Sequence, residues 1–150
     1  MASKRDLFRM LVIAILLGLT IMGCRSSPPP APVSFQSGSR GDTSILLRQG
    51  LNFDSTFREV IYILNRNGFE PELMQPDVGY IRTRWTNSWN DSGTSVDYYR
   101  VQVIINFNPN RTQLLVSAPA QYYRNGNWVT GYDTRAVETL RNDLTIIVGN

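Results

Sequence analysis

The sequence lacks most of the residues on which enzymes and metal sites commonly depend. It contains no histidine and one cysteine, and Lys4 is its only lysine. Beyond residue 23 the chain therefore has neither a histidine nor a lysine that could act as a general base. One cysteine forms no internal disulfide and, without histidine, completes no zinc site. These absences predict a protein without a metal, a cofactor or an internal disulfide.

Excess positive charge is also scarce once the N-terminus is set aside. The whole chain carries 15 Lys and Arg against 12 Asp and Glu, a formal net charge of +3. Beyond residue 23 the balance is 12 arginines against 11 acidic residues, a net charge of +1. A protein that binds DNA or RNA needs a strong cationic excess over its folded part. The composition therefore predicts no nucleic-acid partner.

Long apolar runs are limited to residues 11–22, which follow a short stretch of net positive charge. A helix of that length rises about 18 Å, which is too short for a hydrocarbon core of about 30 Å. The length and the flanking charge are typical of a signal peptide. An uncleaved N-terminal anchor helix with a chance cysteine is the alternative interpretation.

The end of this run, Ile21-Met22-Gly23-Cys24, resembles the bacterial lipobox. The resemblance implies cleavage between Gly23 and Cys24 and a diacylglyceryl group on Cys24. Acyl chains on one cysteine attach a protein to a membrane. Arg25 stands where lipoproteins retained in the inner membrane tend to have Asp. The resemblance therefore implies an outer-membrane lipid anchor, with the rest of the chain in the periplasm.

Composition divides the remaining chain into a tether and one domain. Residues 24–41 are rich in Pro, Ser and Gly, with few apolar residues, and are predicted to remain without a packed structure. Residues 42–150 carry the periodic apolar patterns of a single folded domain. The predicted organisation is therefore a signal peptide at 1–23, a lipidated tether at 24–41 and a domain at 42–150.

The domain is predicted to have α+β architecture. Asp54, Ser55 and Thr56 offer N-cap groups for a helix predicted over 55–67, which Gly68 would end. The apolar residues Phe57, Val60, Ile61 and Leu64 share one face of this helix. Strands are predicted over 43–49, 69–74, 80–85, 96–107 and 112–123, with the second at a sheet edge because of Pro71. Asp133 or Thr134 would cap a final helix. The order β-α-β-β-β-α favours an antiparallel sheet of about four strands with both helices packed on one face.

Phe53-Asp54-Ser55, the helix to Leu64, Asn67-Gly68-Phe69 and residues 77–85 resemble the helix-grip domains of BamC. BamC is the lipoprotein C subunit of the outer-membrane β-barrel assembly machinery. The resemblance implies a helix-grip fold and an accessory or scaffolding role in an envelope assembly complex. A looser resemblance, in residues 99–103 and the late helix, is to the lipopolysaccharide-assembly lipoprotein LptE. That resemblance implies a lipid- or glycan-binding module instead.

Two candidate binding sites follow from strand alternation. The open sheet face would carry Arg82, Arg84, Tyr98, Arg100 and Gln102. Arginine binds phosphate and carboxylate groups bidentately, so this face would fit an anionic glycolipid or an acidic envelope protein. A solvated face whose arginine stems cover apolar surface is the alternative.

Trp89 is the second candidate, because it lies in a polar loop where no core pattern requires it. It would be either an exposed interface anchor or a ring folded over the end of the sheet. Trp85 and Trp128 are expected in the core. No element places two carboxylates together, and no nucleophile motif or phosphate loop is present. The sequence therefore predicts a non-enzymatic binding or scaffolding protein.

Overall fold

The structure is a computed structural model that describes residues 31–38, 41–87 and 98–149. Within these residues it contains nine strands and two helices. In chain order they are β1 (Phe35–Ser37), β2 (Asp42–Leu46), α1 (Phe53–Arg66), β3 (Pro71–Gln75), β4 (Tyr80–Thr83), β5 (Tyr99–Val101), β6 (Ile104–Phe107), β7 (Gln113–Ser117), β8 (Pro119–Arg124), β9 (Asn127–Asp133) and α2 (Thr134–Val148). The signal peptide, Gly23 and Cys24 lie outside the described residues, and so does Trp89.

The strands form two antiparallel sheets. One has five strands in the order β2-β7-β6-β4-β3, and the other has four in the order β1-β9-β8-β5. The predicted α+β class is confirmed, whereas the predicted single sheet of about four strands is wrong. Strand β3 lies at an edge of the five-stranded sheet, as Pro71 predicted.

Two predicted long strands are each divided between the sheets. The predicted strand 96–107 becomes β5 and β6, and the return strand 112–123 becomes β7 and β8. At the first break the Val103 amide donates to the Thr83 hydroxyl (2.9 Å) instead of to a backbone carbonyl. The predicted alternation survives the bend, since its apolar set is buried throughout: Tyr99, Val101, Val103, Ile105 and Phe107. Burial therefore follows the period of two even where the ladder is interrupted.

Helix α1 confirms the predicted helix but has a different N-cap. The cap is Asn52, whose side chain accepts a hydrogen bond from the Ser55 amide (3.0 Å). The groups at Asp54, Ser55 and Thr56, from which the cap was expected, lie inside the helix. An asparagine side chain is as good an acceptor at this position as aspartate or serine.

The predicted end of α1 at Gly68 is confirmed. Gly68 has a φ of 79°, in the left-handed region. The Phe69 amide then donates to the Leu64 carbonyl (2.9 Å), and the Phe69 side chain is fully buried. This geometry satisfies carbonyls of the last turn and folds the apolar residue back onto the helix.

Helix α2 is held at both ends by side chains. Asp133 is the N-cap and accepts from the Ala136 amide (2.7 Å), which confirms one of the two predicted caps. At the other end the Arg48 guanidinium donates to the carbonyls of Ile147 and Gly149. A cation at a helix C-terminus complements the negative end of the helix dipole.

One hydrophobic core joins the helices to the sheets. Helix α1 contacts α2 and β3, and α2 contacts β2 and β7. The buried side chains of both helices belong to one cluster with inward-facing strand residues, including Ile45, Ile81, Ile105, Leu114 and Val116. The five-stranded sheet is therefore covered by apolar helix faces.

The N-terminal segment adds a strand that the sequence did not predict. Strand β1 pairs with β9, with Phe35 opposite Asp133 and Ser37 opposite Gly131. A side chain at position 131 would meet the Gln36 carbonyl at 2.1 Å, so glycine allows this close approach. The prediction that the whole stretch 24–41 stays without structure is wrong for β1. Strand β9 was also missed.

Candidate binding face on the four-stranded sheet

The structure separates the arginines that the sequence placed on one open face. Arg82 lies beside Glu72 on the neighbouring strand β3 (Nη2 to Oε2, 3.3 Å). Arg84, just beyond β4, lies beside Glu70 (Nη1 to Oε2, 3.6 Å). Both arginines thus face acidic residues supplied by the adjacent edge, and Arg100 lies in the other sheet, so the prediction of one open face that carries all three arginines is wrong. Such exposed pairs contribute little to stability.

Arg100 occupies a different environment, in strand β5 of the four-stranded sheet. Its guanidinium carbon lies 4.9 Å from the ring centroid of Trp85 and 4.3 Å from that of Trp128. Its Nε and Nη2 donate to the Gln121 side-chain oxygen (2.8 and 2.5 Å). Two indole rings and one amide therefore fix the position of this cation.

Tyr98 and Tyr123 extend this cluster along the surface. Their rings stack with centroids 6.0 Å apart, and the Tyr123 ring meets the Trp128 ring edge-on at 5.2 Å. Tyr98 is 44% exposed and Trp128 is 39% exposed. We refer to Trp85, Tyr98, Arg100, Tyr123 and Trp128 together as the aromatic face. The expected core position of Trp128 is wrong, and Trp85 is half-buried.

The register of the β8–β9 hairpin builds the aromatic face. Its turn, Asn125-Gly126, has two positive φ angles (51° and 84°), as two-residue hairpin turns commonly do. The hairpin sets Tyr123 directly opposite Trp128. Gln121 lies two residues before Tyr123 on the same side of the strand, and it stands opposite Arg100 on β5. Residues that are distant in sequence therefore converge through strand pairing.

The remaining predicted site residues have other positions. Gln102 donates from its side chain to the Thr83 carbonyl (2.8 Å), at the bend between the two sheets. This hydrogen bond connects the segment between β5 and β6 to the end of β4, so Gln102 has a structural role and is not part of the aromatic face. Trp89 belongs to residues 88–97, which lie outside the described residues and connect Asn87 to Tyr98 along the chain.

A buried polar cluster at Asp133 was missed, although Asp133 was expected as a helix cap. The Asp133 side chain is fully buried and accepts from the Tyr99 hydroxyl (2.5 Å) and the Ser34 hydroxyl (2.8 Å). Burial is the main cause that raises the pKa of the Tyr99 hydroxyl above its usual value, and the hydrogen bond to Asp133 raises it further. The Phe35 ring meets the Tyr99 ring edge-on at 6.1 Å. A buried carboxylate that already accepts three hydrogen bonds stabilises the fold and is not accessible to a substrate from the solvent.

Residues 31–38, 41–87 and 98–149 contain no group of three or more His, Cys, Asp or Glu side chains placed to hold a metal ion. In the same ranges no helix has the length and apolarity needed to cross a membrane. No protein-family model matches the chain, and no curated protein matches it. The functional argument therefore depends on the geometry of the aromatic face.

Proposed function

We propose that this chain is a non-enzymatic, lipid-anchored protein of the bacterial outer membrane that binds a second envelope protein through its aromatic face. The exposed rings of Tyr98 and Trp128 around the fixed cation of Arg100 carry this proposal. Trp, Tyr and Arg are the residue types most enriched where binding energy concentrates in protein interfaces. Arg100 is already positioned by its contacts, so less side-chain freedom is lost on binding.

A protein partner fits this surface better than an anionic glycolipid does. Phosphate groups are bound by clusters of cations with free hydrogen-bond donors. Arg82 and Arg84 lie against carboxylates, and Arg100 lies against two rings and an amide oxygen. Glycolipid binding is therefore the alternative function, and the experiment below distinguishes it from binding of a protein.

The proposed anchor is a lipid on Cys24, with the domain in the periplasm. It is supported by the lipobox resemblance of Ile21-Met22-Gly23-Cys24 and by the apolar run before it. Cys24→Ser should abolish incorporation of a fatty-acid analogue in cells and leave an uncleaved precursor or a released protein. Unchanged labelling of Cys24→Ser would refute the anchor and leave the aromatic face as a separate question.

The proposed fold type is a helix-grip domain that is extended by a second sheet. In support, both helices share one apolar cluster with alternate residues of the five-stranded sheet. This arrangement is similar to what the BamC resemblance implies, and the four-stranded sheet with the aromatic face is an addition to it. An accessory or scaffolding role in an outer-membrane assembly complex is the function we propose for that addition.

The decisive experiment compares the wild-type full chain with variants of it in cells. The proteins are extracted with mild detergent, and the envelope proteins and lipids that copurify are identified. Removal of a central interface ring costs at least about 2 kcal/mol, or about thirtyfold in affinity. Trp128→Ala should therefore lose a specific envelope protein that the wild type retains. Tyr62→Ala is the matched control, because Tyr62 is an exposed aromatic residue (58%) on helix α1.

Retention of every copurifying protein by both Trp128→Ala and Tyr98→Ala would refute the proposed interface. Loss of a phosphate-bearing glycolipid, and of no protein, on joint replacement of Arg82, Arg84 and Arg100 by Gln would favour the alternative function. Arg82 and Arg84 form exposed ion pairs and should contribute little stability, whereas Arg100 also loses its ring contacts, so that variant should remain folded, within about 2 kcal/mol of the wild type, which a thermal melt checks.

A further inference from the structure

A cleft of about 560 Å³ lies between the segment that joins β2 to α1 and the hairpin loop that joins β6 to β7. Its volume falls within the range of small-molecule sites, about 300–1,000 Å³. The aromatic face contributes no residue to its lining. The cleft is therefore a separate feature of the described surface.

The walls of the cleft combine polar side chains with four apolar ones, some of which are open to solvent. Leu46 is 57% exposed and Leu51 is 40% exposed, and both line the cleft together with the buried Leu47. Phe53, at the start of α1, adds an aromatic ring that also packs on the core residue Phe107 at 5.2 Å. Exposed apolar side chains around a concavity are a common sign of a ligand site.

The charge around the cleft is positive. The Arg111 guanidinium lies 3.7 Å above the Phe53 ring. In the described part of the chain it forms no ion pair with a carboxylate. Arg48 also lines the cleft, and its partners are neutral carbonyls of helix α2. Among the residues that the structure describes, none that lines the cleft is Asp or Glu.

The N-terminus of α1 also borders the cleft, and Asp54 in its first turn offsets part of the positive end of the helix. Phe53 and Thr56, both in the first turn, line the cleft. The first-turn amides carry the positive end of the helix dipole. Exposed leucines beside an arginine that has no carboxylate partner among the described residues are complementary to an amphiphile that has one anionic head.

We propose that this cleft binds one long-chain fatty acid. Its carboxylate would pair with the free donors of Arg111, and its acyl chain would cover Leu46 and Leu51. Guanidinium and carboxylate groups match bidentately, and each buried methylene contributes about 0.8 kcal/mol. The site is independent of the partner proposed for the aromatic face.

The test uses the full chain in cells that are fed a fatty acid with a photoreactive group and an alkyne. After irradiation the protein is purified, digested, and its adducts are mapped by mass spectrometry. Light-dependent adducts should fall on peptides that contain residues 46–56 or 108–112. Acylation of Cys24 needs no light, so an unirradiated sample separates the two kinds of labelling.

Variants of Arg111 test the charge directly. Arg111→Gln keeps a stem over the Phe53 ring but removes the charge, and adduct yield should fall about tenfold with the charge-assisted hydrogen bond. Arg111→Lys should restore much of the yield. Arg124→Gln, at the exposed β8–β9 hairpin, is the matched control and should leave it unchanged.

Three results would overturn the proposal. The first is the absence of light-dependent adducts in these peptides. The second is an equal yield for Arg111→Gln, or for the corresponding fatty alcohol that has no charge. The third is an adduct mass that corresponds to a complete glycerophospholipid, because it would assign the cleft to a membrane lipid instead of a free acid.

Discussion

Replacement of Asp133 by alanine should destabilise the domain more than any other single polar substitution in its described part. Asp133 is fully buried and serves three donors: the Ala136 amide and the hydroxyls of Tyr99 and Ser34. The variant loses a helix cap, which costs about 1 kcal/mol. It also leaves two hydroxyls without an acceptor, at about 1–3 kcal/mol for each one that stays buried.

The expected total is about 3–7 kcal/mol, a large part of the roughly 5–15 kcal/mol by which domains are stable. For a domain of this size, about 3–6 °C is lost per kcal/mol, so Tm should fall by roughly 10–40 °C. Thermal and urea unfolding of the mature chain, followed by circular dichroism, measures the change. Asp133→Asn is the control, because asparagine keeps the cap and one acceptor. A loss of less than about 5 °C in Asp133→Ala would refute the reasoning.

A double-mutant cycle tests whether Ser34 depends on the same carboxylate. Ser34→Ala alone should cost about 1 kcal/mol because it leaves Asp133 with its other donors. In Asp133→Ala the same substitution should cost little, so the two effects should fall short of additivity by about 1 kcal/mol. Strict additivity would indicate that the Ser34 hydroxyl does not contact Asp133 in solution.

Three further predictions concern Tyr99, Gly131 and Gly68. Because the pKa of Tyr99 is raised in the folded state, its contribution to stability is fully present below about pH 10, the pKa of tyrosine in the unfolded chain, and is lost as the pH rises further. Tyr99→Phe should therefore reduce the loss of unfolding free energy at alkaline pH, measured by urea unfolding between about pH 8 and 11. Gly131→Ala should expel β1, because the new Cβ would meet the Gln36 carbonyl, and should speed proteolysis within residues 31–38 and lower the melting temperature through loss of the Ser34 contact with Asp133. Gly68→Val should cost about 1–2 kcal/mol in thermal melts through backbone strain alone, since nothing lies within 4 Å of a Cβ there. Unchanged cleavage, or an unchanged melt, would contradict the last two.

Features that depend on neighbouring residues were predictable from the sequence. Helix α1, its end at Gly68 and the burial of Phe69 follow from apolar spacing and local backbone geometry. Asp133 as a helix cap follows in the same way. Each of these depends on contacts within about one helical turn, which a sequence pattern expresses directly.

Features that depend on pairing between distant segments were not predictable. Ser34 and Asp133 are 99 residues apart in sequence, and no local pattern marks β1 or β9 as partners. The composition of residues 24–41 concealed the one apolar side chain, Phe35, that packs on Tyr99. Glycine at position 131 weakened the strand pattern of β9 but made the close approach of β1 possible.

The candidate site follows the same division. Alternation placed Arg100 on the outer side of its strand, but only the hairpin register brings Trp128 over it. Glu70 and Glu72 lie near their arginine partners only because β3 pairs with β4. The prediction of an open arginine face considered each strand by itself. It was wrong because the pairing of β3 with β4 brings acidic residues beside Arg82 and Arg84.

Because β1 is part of the sheet, a membrane anchor at Cys24 would apply its mechanical load at Ser34. The Ser34 carbonyl accepts from the Thr134 amide (3.0 Å) and hydroxyl (3.1 Å), and its own hydroxyl donates to Asp133. Tension would therefore be transmitted to the first turn of α2 before it reaches any other helix. Nine residues, 25–33, separate Cys24 from Ser34, so the tether spans at most about 30 Å while β1 is paired with β9. Tension that separates β1 from β9 would add residues 34–41 to the tether and nearly double its length, without unfolding the hydrophobic core.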